Sequence, residues 1–357
     1  MKPAYRLLSL PRFILALVVA FSSQVALAAV GVTALPAPDG NGPVTVFYPT
    51  LEPAQNVTRG GAVLQLAPDA APAPGNGRLV VISHGSGGHP WGHADLAQAL
   101  VADGFIVAAP EHHRDNHRDW SDAGPKSWKR RPAEVSMAID AVARDVRFAT
   151  ILSLDKVGVY GMSAGGHTAL SLAGGQWSPA RIRRHCEAHI NEDFHACVGL
   201  TTQLRGNAFD GVRKAFALWV IGLMANDENH YAHEDGRVAA VVAGVPYAAD
   251  FDMSTLAAPR VPLALVVARQ DRWLVSRFHA ERVLAACASC ELLADLHNAG
   301  HGALLSPFPP RVSGLLADLL RDPPDFDRSV LPEVDRRISA FFRMHLVKPP
   351  GALAGTP

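Results

Sequence analysis

The chain has 357 residues, 48% of them hydrophobic, and its 33 Lys and Arg offset its 33 Asp and Glu to a formal net charge of +0. Such a balance offers no basic footprint to nucleic acid or an anionic membrane, so the expected partner is a neutral or weakly charged small molecule. The length suits one α/β unit carrying an insertion.

At the amino terminus, Lys2, Arg6 and Arg12 precede the apolar run Phe13 to Phe21, and Ala26-Leu27-Ala28 supplies small residues for cleavage. This pattern predicts a secretory signal peptide over residues 1–28 and a periplasmic or secreted mature protein from residue 29 onward. The apolar run is shorter than the ~20 residues a spanning helix needs, and no nearby cysteine offers a lipid attachment point. No stable membrane anchor is therefore expected after cleavage. In an oxidising compartment the four cysteines read as pairs, Cys186 with Cys197 and Cys287 with Cys290, although the second pair could equally be two free thiols.

Along the mature chain, Val44 to Tyr48 alternates like an early edge strand, and Ala67 to Asn76, rich in Pro, Ala and Gly, reads as a loop. Leu79 to Ile82, Phe105 to Ala108 and Lys156 to Tyr160 read as buried strands, with a helix over Asp95 to Ala102 between the first two. The segment Glu111 to Lys129 is polar. Pro132, placed at a helix first position, opens a run in which Val135, Ile139, Val142 and Val146 repeat at helical spacing. Val238 to Val245, Leu263 to Ala268 and Leu292 to Leu296 supply further strands, Ser276 to Ala288 a helix, and Val334 to Leu346 a closing helix. This alternation predicts an α/β fold, a mostly parallel sheet with helices on both faces and a site at the carboxyl ends of its strands. Residues 176–236 break the alternation and read as a lid or cap insertion; the competing reading is a surface insertion without catalytic consequence.

Gly161-Met162-Ser163-Ala164-Gly165 stands between a strand-like run and a small-residue helix, the G-x-S-x-G setting of a nucleophile elbow. A serine hydroxyl needs a base within hydrogen-bond reach and a group that fixes the base's tautomer. His301, in Asn298-Ala299-Gly300-His301-Gly302 after the last strand, is the expected base, and Asp271, after the strand Leu263 to Ala268, the expected orienting acid. Asp250 and Asp252 are rivals for the acid, and His297 for the base. Charge built on an ester carbonyl oxygen requires N–H donors. Ala164, opening the helix, and Ser86, in His84-Gly85-Ser86-Gly87-Gly88, are the expected pair.

These motifs, in this order, resemble the α/β-hydrolase superfamily, and more narrowly the exported bacterial members grouped with platelet-activating factor acetylhydrolases and called predicted dienelactone hydrolases. The likeness runs from about Val44 to about Pro307 and includes the insertion around Cys186 and Cys197. It implies the α/β-hydrolase fold, Ser163, Asp271 and His301 as triad and the N–H groups of Ser86 and Ala164 as oxyanion donors. Ser163 stands where true dienelactone hydrolases carry cysteine, so their substrate is not inherited. Platelet-activating factor acetylhydrolases place the acid one strand earlier, where this chain offers none before Asp250.

A metal hydrolase is the competing class, since His89 and His93, His112, His113 and His117, or His185, Cys186, His189, His195 and Cys197 could be grouped as ligands. None matches a ligand signature such as H-E-x-x-H. Trp91, Trp120 and Trp128 either wall an acyl pocket or serve only in packing. The expected activity is a serine carboxylester hydrolase working through an acyl-enzyme on a small-molecule ester, with no cofactor and no metal. A peptidase or amidase with the same triad, or a catalytically silent binding protein, are the alternatives.

Overall fold

The computed structural model describes residues 29–36, 41–309 and 312–347. The expected signal peptide, residues 1–28, lies outside the described residues.

The strands β1 (Ala29–Leu35), β2 (Val44–Thr50), β3 (Gln55–Arg59), β4 (Ala62–Pro68), β5 (Leu79–Ser83), β6 (Ile106–Pro110), β7 (Val157–Met162), β8 (Val238–Gly244), β9 (Leu263–Ala268) and β10 (Glu291–Leu296) build one ten-stranded sheet, ordered β10-β9-β8-β7-β5-β6-β2-β1-β4-β3. From β10 across to β6 every pairing is parallel. β2 runs antiparallel to both β6 and β1, and β3 and β4 close the far edge as an antiparallel hairpin. The helices are α1 (Ala94–Ala102), α2 (Pro125–Arg144), α3 (Val146–Ala149), α4 (Ala164–Leu172), α5 (Pro179–His189), α6 (Phe194–Val198), α7 (Asp210–Met224), α8 (Met253–Leu256), α9 (Ala280–Ala286), α10 (Gly314–Leu320) and α11 (Leu331–Leu346).

Both sheet faces are buried, which is why the central strands read as unbroken apolar runs. Successive side chains alternate between two cores. Leu79 and Val81 of β5 pack with Val135, Ile139 and Leu170 of α2 and α4, whereas Val80 and Ile82 pack with Leu96, Leu100, Ile338 and Phe342 of α1 and α11.

Four local expectations change. β2, expected as an edge strand, is buried along its whole length between β6 and β1. α2 begins at Pro125, not Pro132, and carries Pro132 inside it. The extra turns bury Ser127, Trp128 and Arg131, and the charge of Arg131 hides this stretch from a search for apolar periodicity. The helix expected over Ser276 to Ala288 is a 3₁₀ turn at Ser276–Phe278 followed by α9, interrupted at His279, whose Nδ1 accepts the Ala248 N–H at 2.9 Å. β4 occupies the start of the segment read as a loop, and β1 and β3 carry no expectation. β3 buries Val57 alone of its five residues and so has almost no apolar pattern to read.

Residues 176–236 leave the sheet between α4 and β8 and contribute α5, α6 and α7. Cys186 of α5 and Cys197 of α6 stand at disulfide-bonding distance, as do Cys287 and Cys290, so the described residues include no free cysteine. No helix among the described residues is long and apolar enough to cross a membrane.

Candidate active site

The turn from β7 into α4 is crowded enough to dictate its glycines. A Cβ on Gly161 would meet the Gly165 carbonyl oxygen at 1.9 Å, and one on Gly165 would meet the Ser83 carbonyl oxygen at 1.9 Å. Ser163 sits between them at φ 57°, a conformation that costs a non-glycine residue energy and must be enforced by its surroundings. The enforcement is visible: the Ser163 N–H donates to Gly244 O, while its carbonyl accepts from the His167 and Tyr247 N–H groups. The bend lifts the Ser163 side chain off the sheet and into a cleft.

Two other strand ends meet it there. His301 opens a short 3₁₀ turn after β10, and its Nε2 lies 3.0 Å from Ser163 Oγ. Its Nδ1 lies 2.7 Å from Asp271 Oδ2, and the other Asp271 oxygen accepts the N–H groups of Trp273 and Leu274 at 2.8 and 2.9 Å. Asp271 and His301 are both buried. With the carboxylate oxygen as acceptor, Nδ1 carries the proton and Nε2 presents its lone pair to the hydroxyl.

The rivals are occupied elsewhere. Asp250 lies 3.1 Å from His167 Nε2 in a fully buried pair, beneath the stacked ring of Trp128. Asp252 caps α8 and pairs with Arg181. His297 is largely exposed beside Asp295.

The expected oxyanion donors, Ser86 and Ala164, lie in the two segments next to Ser163. Ala164 is the first residue of α4, where an N–H has no partner in its own helix. The loop His84 to Gly88 follows β5, and its Gly85 backs onto the nucleophile: a Cβ there would lie 3.5 Å from Ser163 Cβ. Beneath this loop runs a polar network that apolar patterning does not reveal. Arg131 of α2 donates to the carbonyls of His84 (2.5 Å) and Gly85 (3.4 Å) and pairs with Asp115 (2.8 Å); Asp115 accepts from Ser86 Oγ (2.6 Å) and the Gly87 N–H (3.0 Å). Burial pushes the Asp115 carboxyl upward, but Arg131 and these donors outweigh it and hold it below its ordinary range. Burial likewise drives His84 and His112 below the usual imidazole range. The one sequence signal for Arg131 and Glu134 is their place on the buried side of α2 beside Val135 and Ala138, where a charge demands a partner.

The cleft has a volume of about 2410 Å³. Trp91, Trp120 and Trp128 all line it, together with Trp273, Leu274 and Leu305. From the insertion come Ile182, the stretch from His195 to Thr202, and Phe216, Val220 and Met224 of α7. Asp193 ties the insertion to the body. One of its oxygens accepts the Val275 N–H at 3.1 Å, while the other lies 2.8 Å from His185 Nε2 and 2.9 Å from His279 Nε2.

Among the described residues, His185, Asp193 and His279 are the group that brings three potential metal ligands together. Their chemistry does not fit a cation. His279 Nδ1 accepts the Ala248 N–H, so its proton resides on Nε2 and no lone pair faces the carboxylate. Cys186 and Cys197, grouped with His185, His189 and His195 in the sequence, face each other.

No protein-family model matches the chain, and no curated protein sequence does. Among solved structures, a ferulic acid esterase from Streptomyces cinnamoneus superposes with a TM-score of 0.57 and 16% identity, covering 95% of this chain and 96% of that one. With a serine elbow between β7 and α4 and a parallel sheet flanked on both faces, this likeness establishes that the chain has the α/β-hydrolase fold.

Proposed function

We propose that the protein is an exported serine hydrolase that cleaves carboxylic esters through an acyl-enzyme. The observation that carries this reading is the continuous chain from Ser163 Oγ to His301 (3.0 Å) to Asp271 (2.7 Å), with the hydroxyl opening on a large, mainly apolar cleft.

Ser163 Oγ attacks the ester carbonyl carbon as its proton passes to His301 Nε2. Asp271 holds the imidazole in the required tautomer and stabilises the imidazolium that forms. The N–H groups of Ser86 and Ala164 take the charge on the tetrahedral oxyanion. Collapse breaks the bond to the leaving oxygen, which takes the proton from His301 and departs as the alcohol. Water then attacks the acyl-serine, gives its proton to His301, and the acid leaves as Ser163 regains its hydrogen. No step needs a cofactor or a metal. In this reading residues 176–236 act as a lid, held to the acid loop through Asp193 and covering the cleft with α7. The two cysteine pairs suit an oxidising compartment.

Purified mature protein should hydrolyse a panel of nitrophenyl and alkyl esters, methyl ferulate included because of the structural neighbour. A fluorophosphonate should label it at Ser163. Ser163→Ala should abolish labelling and lower turnover by about 10⁴-fold or more. An unlabelled, inactive wild type would favour a silent binding protein, and a Ser163-dependent rate on amides exceeding that on esters would favour an amidase.

A further inference from the structure

We infer that Arg131 is the positioning residue of the oxyanion loop: paired with Asp115, it turns the carbonyls of His84 and Gly85 away from Ser163 and so aims the following N–H groups at the reacting oxygen. The inference rests on the hydrolase reading above and assigns a role to a buried pair that lies outside the triad.

A trans peptide is planar, with its carbonyl and N–H pointing in opposite directions. Fixing the Gly85 carbonyl therefore fixes the Ser86 N–H. That carbonyl is held three ways, by His84 Nδ1 at 2.7 Å, the Gly88 N–H at 3.1 Å and Arg131 Nη2 at 3.4 Å. The preceding carbonyl, His84 O, is held by Arg131 Nη1 at 2.5 Å. From the other side Asp115 grips Ser86 Oγ and the Gly87 N–H, and is itself bound by Arg131 Nε and Nη2 at 3.1 and 2.8 Å. The guanidinium's fork is thus divided between a carboxylate and three carbonyls, the two of the loop and that of Asp115 at 3.2 Å, an arrangement an ammonium cannot reproduce. Arg131 Nε also donates to Ser127 Oγ at 3.0 Å, one helical turn earlier, which seats the side chain on α2. Both members of the pair are fully buried. A buried ion pair yields little net stability once desolvation is counted, so its consequence lies in where it holds the groups it binds. Here those groups are the backbone on one side of the Ser163 hydroxyl.

Oxyanion donors act on the transition state and not on the bound ester, and losing one costs about 10²- to 10³-fold in kcat. Loosening such a donor through its support should cost less. Arg131→Lys keeps the charge but cannot span Asp115 and both carbonyls, and is expected to lower kcat by about 10- to 100-fold with KM within about twofold. Affinity for a trifluoromethyl ketone, whose serine adduct carries the oxyanion, should fall in parallel, while affinity for the carboxylic acid product stays at the wild-type value. Arg131→Met alone strands a buried carboxylate, so the second variant is Arg131→Met with Asp115→Asn, which removes both charges and should show the same selective loss. Wild-type kcat and ketone affinity in either folded variant, or a rise in KM without a fall in kcat, would overturn the assignment. A wild-type protein without Ser163-dependent ester turnover would overturn the hydrolase reading and this inference together.

Discussion

Two Ser–His–carboxylate chains lie at the carboxyl end of the sheet, and their hydrogen bonds are nearly the same. Ser163 Oγ is 3.0 Å from His301 Nε2, whose Nδ1 is 2.7 Å from Asp271; Ser83 Oγ is 2.8 Å from His112 Nε2, whose Nδ1 is 2.5 Å from Glu134. What differs is the ground on which each serine stands. Ser163 is bent to positive φ and reaches a cleft beside the helix N-terminus of α4, whereas Ser83 is the fully buried last residue of β5 with Gly165 packed on its carbonyl. Ser83 has no exposed surface, so no ester carbonyl can reach its hydroxyl. Hydrogen-bond geometry alone therefore does not mark a reaction centre; access and an oxyanion site do.

The comparison breaks most sharply at the acid. Asp271→Asn, which reverses the tautomer that Ser163 needs, should lower kcat by about 10⁴-fold while leaving the fold intact, as read by steady-state ester kinetics beside thermal unfolding. Glu134→Gln should instead leave turnover within about tenfold and lower the urea midpoint, because its chain serves structure. Equal kinetic losses in the two variants would show that the distinction between the chains is mistaken.

Next in size is the contact that joins them. Gly165→Ala puts a methyl 1.9 Å from the Ser83 carbonyl, backbone against backbone, where no rotamer can relieve it. Destabilisation by about 3 kcal/mol is expected in chemical unfolding, with activity lost alongside. An unchanged midpoint would mean that the elbow and β5 separate more readily than their packing implies.

Both serines are plain in the sequence; which one stands in an elbow is legible because, of the two, only Ser163 has glycines two residues to either side. Asp271 and His301 are likewise readable from their places after β9 and β10. Arg131, Asp115, Glu134 and Asp193 are not, because each is a buried charge whose partner is remote in sequence and whose presence blurs the apolar periodicity. For the same reason the polar stretch ahead of Pro132 conceals the first turns of α2. β3 escapes because a strand that buries Val57 alone leaves little alternation to detect, whereas β4 does turn Leu64 and Leu66 inward and ends inside the Pro-, Ala- and Gly-rich segment that reads as a loop.

Burial of neutral imidazoles around the closed chain gives a smaller, pH-dependent effect. His93 is buried against Tyr160 and its ring is pushed down to about 4 by desolvation. Since the unfolded chain takes up that proton near the ordinary value of 6.5 and the native state only near 4, this residue's contribution to stability falls as pH drops from about 6.5 toward 4. His93→Phe should therefore gain about 2 kcal/mol relative to wild type at pH 4.5 and show little of that gain at pH 7.5, measured as urea midpoints at the two values. A pH-independent difference would assign the effect to packing instead.

The smallest effect tests the closed chain directly. Ser83→Ala removes the hydroxyl between β5 and His112, which still keeps Glu134 on its other nitrogen. A buried imidazole nitrogen loses its donor without any change of net charge, so the expected cost is about 1 kcal/mol in unfolding free energy. Fluorophosphonate labelling should persist at the wild-type rate, because Ser163, His301 and Asp271 touch none of the atoms removed. If labelling slows in step with the loss of stability, β5 transmits strain from its buried serine to the elbow through the Ser83 carbonyl packed on Gly165, and the two chains act as one unit.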